Sequence, residues 1–256
     1  MKFLTNLDQA SCQAVKMVAT DFDGTVTENG QLTAQAIDAI SQLQLVGIKV
    51  IVVTGRSAGW VNALRQYLPI AGAIAENGGL YYSQPEMSPE ILVPLASIPN
   101  HRKQLATIFQ QLCLSFPQLQ QSPDNAFRFT DWTFDVAGLS ASDLTQIAQQ
   151  CQEQGYSFTY SSVQCHIKLP TQDKAQGLQT VLNQYFPHLC REQILTVGDS
   201  PNDESLFNPE LFPLSVGVAN INPYCQIISY PPQYMTQAGE GKGFSELAQH
   251  LIKHHK

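Results

Sequence analysis

Charge is scarce in this chain: Asp, Glu, Lys and Arg together make up 14% of its 256 residues, where an average globular protein carries roughly 25%. Glutamine fills much of the gap. The 29 glutamines are scattered rather than massed in a tract, which reads as uncharged solvent faces and not as a prion-like segment. Basic residues are the scarcer sign, 14 Lys and Arg against 21 Asp and Glu, for a net charge of −7 with no Lys/Arg run. Such a chain lacks the electrostatic footprint of nucleic-acid binding. An anionic substrate stays open, because a local site can be positive inside an acidic whole. No stretch approaches the ~18 uninterrupted apolar residues of a membrane span. Met1 to Lys16 has no apolar leader core and no cleavage signal, so a cytoplasmic protein is expected. The six cysteines (Cys12, Cys113, Cys151, Cys165, Cys190, Cys225) form no CxxC pair and keep no regular spacing. Reduced thiols are expected, and a zinc site is not.

What is present is core-forming material for one or two domains, at about 150 residues each. Hydrophobic residues make up 43% and mean hydropathy is −0.12. Lys16 to Thr20 is a short apolar run ending in Asp21-Phe22-Asp23-Gly24-Thr25. Thr33 is placed to cap a helix whose apolar face is Ala36, Ile37, Ile40 and Leu43, stopped at Gly47. Ile48 to Val53 is a second buried run, ending in Thr54-Gly55-Arg56, and Ala71 to Ala75 a third, ending in Glu76-Asn77-Gly78-Gly79. Strands alternating with helices, each nearly continuous in apolar residues, predict a parallel sheet covered on both faces. Ligands of such folds sit at the carboxyl ends of the strands. Asp21, Asp23, Thr54 and Asn77 all fall there.

The style changes after about Tyr82. A Pro-rich connection (Pro85, Pro89, Pro94, Pro99) leads to a helix near His101 to Phe116, a strand over Phe127 to Val136, a helix over Ser142 to Gln154, and strands over Tyr156 to Tyr160 and Gln164 to Leu169. The reading is an α/β fold: a Rossmann-like parallel-sheet core over residues 1–81 and 170–256, with an α/β cap inserted over 82–169. The βα pattern resumes at Lys174, and the strand Ile194 to Val197 ends in Gly198-Asp199-Ser200-Pro201-Asn202-Asp203.

Two carboxylates two residues apart on an extended chain share a side and repel. If the sheet brings Asp21 and Asp23 to Asp199 and Asp203, the cluster needs cations. Mg²⁺ suits an all-oxygen set beside a phosphate, Lys174 adds positive charge, and no His/Cys cluster competes for the metal. Asp21-Phe22-Asp23-Gly24-Thr25, Thr54-Gly55-Arg56, Lys174 and Gly198 to Asp203 resemble, in order and spacing, the four motifs of the haloacid dehalogenase-like phosphatases. The insert and the ending Gly241-Lys242-Gly243-Phe244 are similar to the Cof-like branch, which includes sugar-phosphate phosphatases and phosphomannomutases.

That resemblance implies a Mg²⁺-dependent phosphomonoester hydrolase acting on a small phosphorylated metabolite, a sugar phosphate foremost. Asp21 would be the nucleophile and form an aspartyl-phosphate, and Asp23 the general acid and base. Thr54 would bond the phosphoryl group, and Lys174 would pair with Asp21 and the phosphoryl oxygens. Asp21, the Asp23 carbonyl, Asp199 and Asp203 would hold the metal. Amides near Phe22 and Gly55 are placed to cradle phosphate. From the residues themselves, Asn77, Arg128, His166 and Lys168 are further candidates for substrate contact, while Asn77 is equally a turn former and His166 and Lys168 equally one solvated strand face. Trp132 and Tyr160 read as cap core. A phosphomutase using the same aspartyl-phosphate, or a non-catalytic phosphosugar-binding regulator, are the alternatives on the same scaffold.

Overall fold

The computed structural model describes residues 1–84, 88–161 and 163–255. Pro85, at the head of the Pro-rich connection, lies outside them. Two sheets organise the described residues. The larger has nine strands, in the order β1 (Lys2–Phe3), β12 (Tyr234–Met235), β11 (Leu214–Gly217), β10 (Ile194–Gly198), β2 (Met17–Thr20), β3 (Lys49–Val53), β4 (Gly72–Ala75), β5 (Leu80–Ser83) and β6 (Glu90–Ile91). All pairings from β1 across to β4 are parallel; β4–β5 and β5–β6 are antiparallel.

The continuous apolar runs have a direct cause: alternate residues of each strand enter two different cores. Val18, Val50, Val52 and Leu195 pack on one face with Ile40 and Leu43 of α2 (Ala34–Leu45) and Phe244 and Leu251 of α7 (Glu240–His254). Met17, Ala19, Ile51 and Val53 pack on the other with Leu178 and Val181 of α6 (Lys174–Tyr185). Thr33 caps α2, its Oγ1 accepting from the Ala36 N–H at 3.2 Å. Ile37, expected on the apolar face, is 38% exposed, and Ala39 is buried instead. Positions 36, 39, 40 and 43 follow the helical stripe, and 37 sits about 100° away from 36. Two short helices complete this layer system: α1 (Gln9–Ala14), capped by Asp8, and α3 (Ala58–Leu64), opened at Ser57.

The inserted unit has its own three-stranded antiparallel sheet, β7 (Trp132–Asp135), β9 (Gln164–Lys168) and β8 (Ser157–Tyr160), backed by α4 (Ile98–Ser115) and α5 (Ala141–Glu153). Its core is separate, built on Leu105, Leu112, Phe134, Ile147, Cys165 and Ile167, with Trp132 and Tyr160 packed half-buried against it. Two expectations need correction here. The first core segment does not end at residue 81, because Tyr82 and Ser83 belong to β5 and Glu90–Ile91 joins the large sheet. An antiparallel return needs only a short turn, so no βα alternation announces it. That turn holds Glu76, Asn77 and Gly78 at φ of 53°, 52° and 94°. The strand expected from Phe127 begins only at Trp132, because residues 128–130 are spent on polar contacts to the core, described below, and Asp131 on Arg128 and His166. No helix among the described residues is long and apolar enough to cross a membrane.

Candidate active site

Parallel register sets Thr20 beside Val52 on one side and Val197 on the other, so the next residues of three strands meet at one rim. The Asp21 N–H donates to the Val197 carbonyl at 2.9 Å, which fixes Asp21 at the end of β2. Lys174 opens α6, whose cap Asp173 accepts from the Gln176 N–H at 2.9 Å. The helix approaches the 76–79 turn so closely that a Cβ on Gly78 would stand 2.0 Å from the Asp173 carbonyl oxygen. Glycine there lets the turn and the helix start touch, and that contact carries Lys174 to the rim.

Lys174 is fully buried and its Nζ donates to Asp21 Oδ1 at 2.6 Å and to Asp203 Oδ1 at 2.7 Å. Asp21, Asp199 and Asp203 each bring a carboxylate oxygen within 4.8 Å of the others. Burial pushes the Asp21 carboxyl up to about 7 against the pull of Lys174. Burial, then Asp21 and Asp203, raise Asp199 well above the usual carboxylate range. Burial works against the Lys174 ammonium too, but Asp203 and Asp21 outweigh it and hold its proton more firmly than an ordinary lysine. One ammonium among three buried carboxylates leaves an excess of negative charge, an oxygen donor set suited to a hard divalent cation.

The carboxylates are held by their neighbours. Asp203 Oδ2 accepts from the N–H groups of Asp199 at 2.9 Å and Ser200 at 3.2 Å. Asp199 accepts from Thr25 Oγ1 at 3.2 Å and from Asn220 Nδ2 at 2.9 Å. Gly24 lies at φ +77°, and a Cβ there would come within 2.6 Å of Asp199 Oδ2. Asn220, which also donates to the Gly24 carbonyl at 3.0 Å, escaped sequence reasoning. It sits in a short 3₁₀ helix, Ala219–Tyr224, far along the chain, where no local pattern marks it. Asp23 stands apart from the three gathered carboxylates. Its two oxygens accept from Arg56 Nε at 2.8 Å and Nη2 at 2.6 Å, and the guanidinium lies 5.2 Å from the Trp60 ring centroid. The partner role of Arg56 was visible only as its place after Thr54-Gly55.

Thr54 is buried, with Oγ1 accepting from the Arg56 N–H at 3.2 Å and its carbonyl accepting from the Asn77 N–H at 3.0 Å. Asn77 Oδ1 accepts from Asn202 at 3.1 Å, while its buried Nδ2 has no hydrogen-bond partner among the described residues. A buried unsatisfied amide costs about 1–3 kcal/mol, so this donor is open to an acceptor atom. A cavity of about 20 Å³ lies between Asp21, Asp23, Thr54, Gly55 and Arg56 below and Gln164 and His166 of the insert above. A larger one, about 230 Å³, opens beside it, lined by Asn77, Lys168, Lys174 and Asn202 with Phe158 and Tyr230.

The insert residues expected to touch substrate divide. His166 lines the small cavity and Lys168 the larger, where burial lowers the Lys168 ammonium pKa and its Nζ donates to the Gln172 carbonyl. Arg128 lines neither of these two cavities. Its side chain is fully buried, with Nη1 donating to Asp131 at 2.9 Å and to the Gly55 carbonyl at 3.0 Å, and Nη2 to Asp124 at 2.9 Å and Gln164 at 3.1 Å. An isolated Arg in sequence carries no sign of such a buried acidic shell, which takes up the donors expected to meet a ligand.

Glu76 makes the second tie between core and insert. Its oxygens accept from the Ala58 N–H at 3.0 Å, the Phe129 N–H at 3.1 Å, the Thr130 N–H at 2.6 Å and Thr130 Oγ1 at 2.7 Å. Burial, aided by Asp131, raises its carboxyl to about 7. Glu76→Gln turns one acceptor into a donor facing other donors, whichever way the amide rotates. We expect it to cost about 1–3 kcal/mol, read as a Tm lower by roughly 2–12 °C in calorimetry.

With this geometry in place, comparisons with known proteins agree. The haloacid dehalogenase-like hydrolase family matches residues 18–115. The chain is 27% identical over 243 residues to phosphoglycolate phosphatase 1 of Saccharolobus solfataricus, covering 93% of this chain and 96% of that one. Among solved structures, protein 0175 of Thermoplasma acidophilum superposes with a TM-score of 0.75 at 21% identity, over 93% of this chain and 98% of that one. The sucrose-phosphatase of Synechocystis sp. PCC6803 superposes with a TM-score of 0.68 at 15% identity, over 92% and 97%. The carboxylate cluster around Lys174 thus sits in a chain that matches the haloacid dehalogenase-like hydrolases over residues 18–115 and is similar to phosphoglycolate phosphatases over most of its length.

Proposed function

We propose that this phosphatase hydrolyses a small phosphomonoester through an aspartyl-phosphate on Asp21. The observation that carries the reading is the Lys174 ammonium bridging Asp21 and Asp203 at 2.6 and 2.7 Å. It orients the Asp21 carboxylate and lies where phosphoryl charge would gather. Asp21 attacks phosphorus, and the leaving oxygen takes a proton from Asp23. Asp23 then removes a proton from the water that attacks the acyl phosphate. A carboxyl group with both oxygens accepting from a guanidinium has no proton to donate. The Arg56–Asp23 pair therefore parts as substrate enters, which frees Asp23 for proton transfer. Thr54 Oγ1, the Gly55 N–H and the orphan Asn77 Nδ2 are placed to bond phosphoryl oxygens.

Mg²⁺ fits the site: Asp21, Asp199 and the Asp23 carbonyl would hold it, with Asp203 directly or through water, and it would offset phosphoryl charge and orient the transferring group. The insert roofs the rim and leaves little space above Asp21, which favours small substrates over phosphoproteins. Relatives named as phosphoglycolate phosphatases, and a sucrose-phosphatase of the same fold, support a small metabolite, a sugar phosphate foremost. A screen of inorganic phosphate release with Mg²⁺ over sugar phosphates, phosphoglycolate, phosphoglycerate and nucleotides tests this. Release from small esters at rates at least about 100-fold above a phosphoprotein is expected, since roofing of this kind gates entry. Comparable rates on both, or phosphoryl transfer to a sugar hydroxyl in place of release, would overturn the reading.

A further inference from the structure

We propose that His166 is a specificity-determining acceptor for a hydroxyl of the leaving group, held in that role by Asp131 and Arg128. The inference rests on the proposed phosphatase reading and narrows its substrate class. His166 Nδ1 lies 2.9 Å from Asp131 Oδ2. Asp131 is wholly buried; burial alone would raise its carboxyl, but Arg128 and His166 hold it below the usual range. An ionised carboxylate only accepts, so Nδ1 carries the ring proton. Burial lowers the His166 pKa and keeps the ring neutral, leaving Nε2 as a lone pair. His166 borders the small cavity with Asp21, Asp23 and Arg56. It also stands over motif residue Gly55, where a Cβ would meet His166 Cε1 at 3.1 Å and Nε2 at 3.2 Å.

A lone pair needs a donor. A hydroxyl of a polyol or sugar leaving group satisfies Nε2, whereas a carboxylate has nothing to donate. Arg128 makes the setting rigid. Its Nη1 reaches both Asp131 oxygens, at 2.9 and 3.0 Å, and the Gly55 carbonyl at 3.0 Å, so the relay is anchored to the core strand end and not only within the insert. Asp131 and Arg128 are positioning residues; they act through the ring.

The test compares kcat/KM for glycerol phosphate, which bears hydroxyls, with phosphoglycolate, which bears a carboxylate, in the Mg²⁺-supplied full chain. We expect a preference for glycerol phosphate of about tenfold, the size of one hydrogen bond. His166→Asn keeps an amide N–H toward Asp131 but removes the Nε2 acceptor, and should bring the ratio to within about threefold of unity, mainly through the KM of glycerol phosphate. Asp131→Asn should go further. Arg128 claims the new amide's oxygen, so its NH₂ faces Nδ1, forces the proton to Nε2 and shifts the ratio toward phosphoglycolate by about tenfold. Nitrogen NMR of the histidine-labelled protein reads the same change directly, Nε2 unprotonated in the parent and protonated in Asp131→Asn. A parent Nε2 that carries the proton, or a ratio unmoved by His166→Asn, overturns the inference. The variant at 166 decides the matter if Asp131→Asn does not fold. Hydrolysis of p-nitrophenyl phosphate by the parent, which needs no hydroxyl contact, separates the two readings: its absence defeats the phosphatase reading, and its presence without substrate preference defeats only this inference.

Discussion

Asp21→Asn should lower phosphate release by at least about 10⁴-fold, to background, while the protein remains folded. The reasoning is local. Asp21 Oδ1 accepts from Lys174 Nζ at 2.6 Å, and Lys174 keeps Asp203 at 2.7 Å as a second anion. Asparagine preserves the size and an oxygen for that contact, so the ammonium is not stranded. What is lost is the carboxylate, and an amide oxygen does not form the acyl phosphate. Burial already opposes charge at this position, which lifts the Asp21 carboxyl to about 7; removing the charge therefore spares the fold a desolvation cost. The measurement is inorganic phosphate release, with circular dichroism and Tm beside it. More than a trace of activity in a folded Asp21→Asn protein would move the nucleophile elsewhere.

Strand ends were legible because sequence and sheet obey one rule. A run such as Ile48 to Val53 is apolar at every position only if both faces are covered, and coverage by helices puts the chemistry at the carboxyl rim. Asp21, Asp23, Thr54 and Asn77 fell at that rim by this rule, and the structure sets Asp21, Asp23 and Thr54 around one cavity and Asn77 with Lys174 around the next. The insert was legible as a unit but not in its details. Arg128, His166 and Lys168 were distinguishable only by residue type, while their environments differ sharply: Arg128 is sealed among Asp124, Asp131 and Gln164, and His166 faces the cavity. Burial and partner identity are properties of chain pairs far apart, such as Arg128 with Gln164 or Asn220 with Gly24. No window along one sequence contains both members. The β5–β6 return was missed for a related reason, since short antiparallel strands carry too few residues to show a period.

Chelation should abolish activity, and Mg²⁺ should restore it where Ca²⁺ does not. Asp21, Asp199 and Asp203 crowd their oxygens within 4.8 Å, and Lys174 supplies one positive charge against them. With no divalent cation, the cluster relieves itself by keeping a proton, which is the physical content of the raised Asp199. A dianionic phosphoryl group then meets uncompensated carboxylates and is repelled. Mg²⁺ demands compact octahedral oxygen geometry, which matches carboxylates drawn this close. Ca²⁺ takes roughly six to eight ligands at longer distances and would splay Asp21 from its line of attack. The same binding has a readout without turnover: a ligand at about 100 times its Kd stabilises the folded state by about 2.7 kcal/mol, a Tm rise of roughly 5–10 °C for a chain of this size. Asp199→Asn, which removes a metal oxygen but keeps an acceptor for Thr25, should lose most of that rise. Full activity after exhaustive chelation, or a Tm indifferent to Mg²⁺, would mean that Lys174 alone balances the cluster.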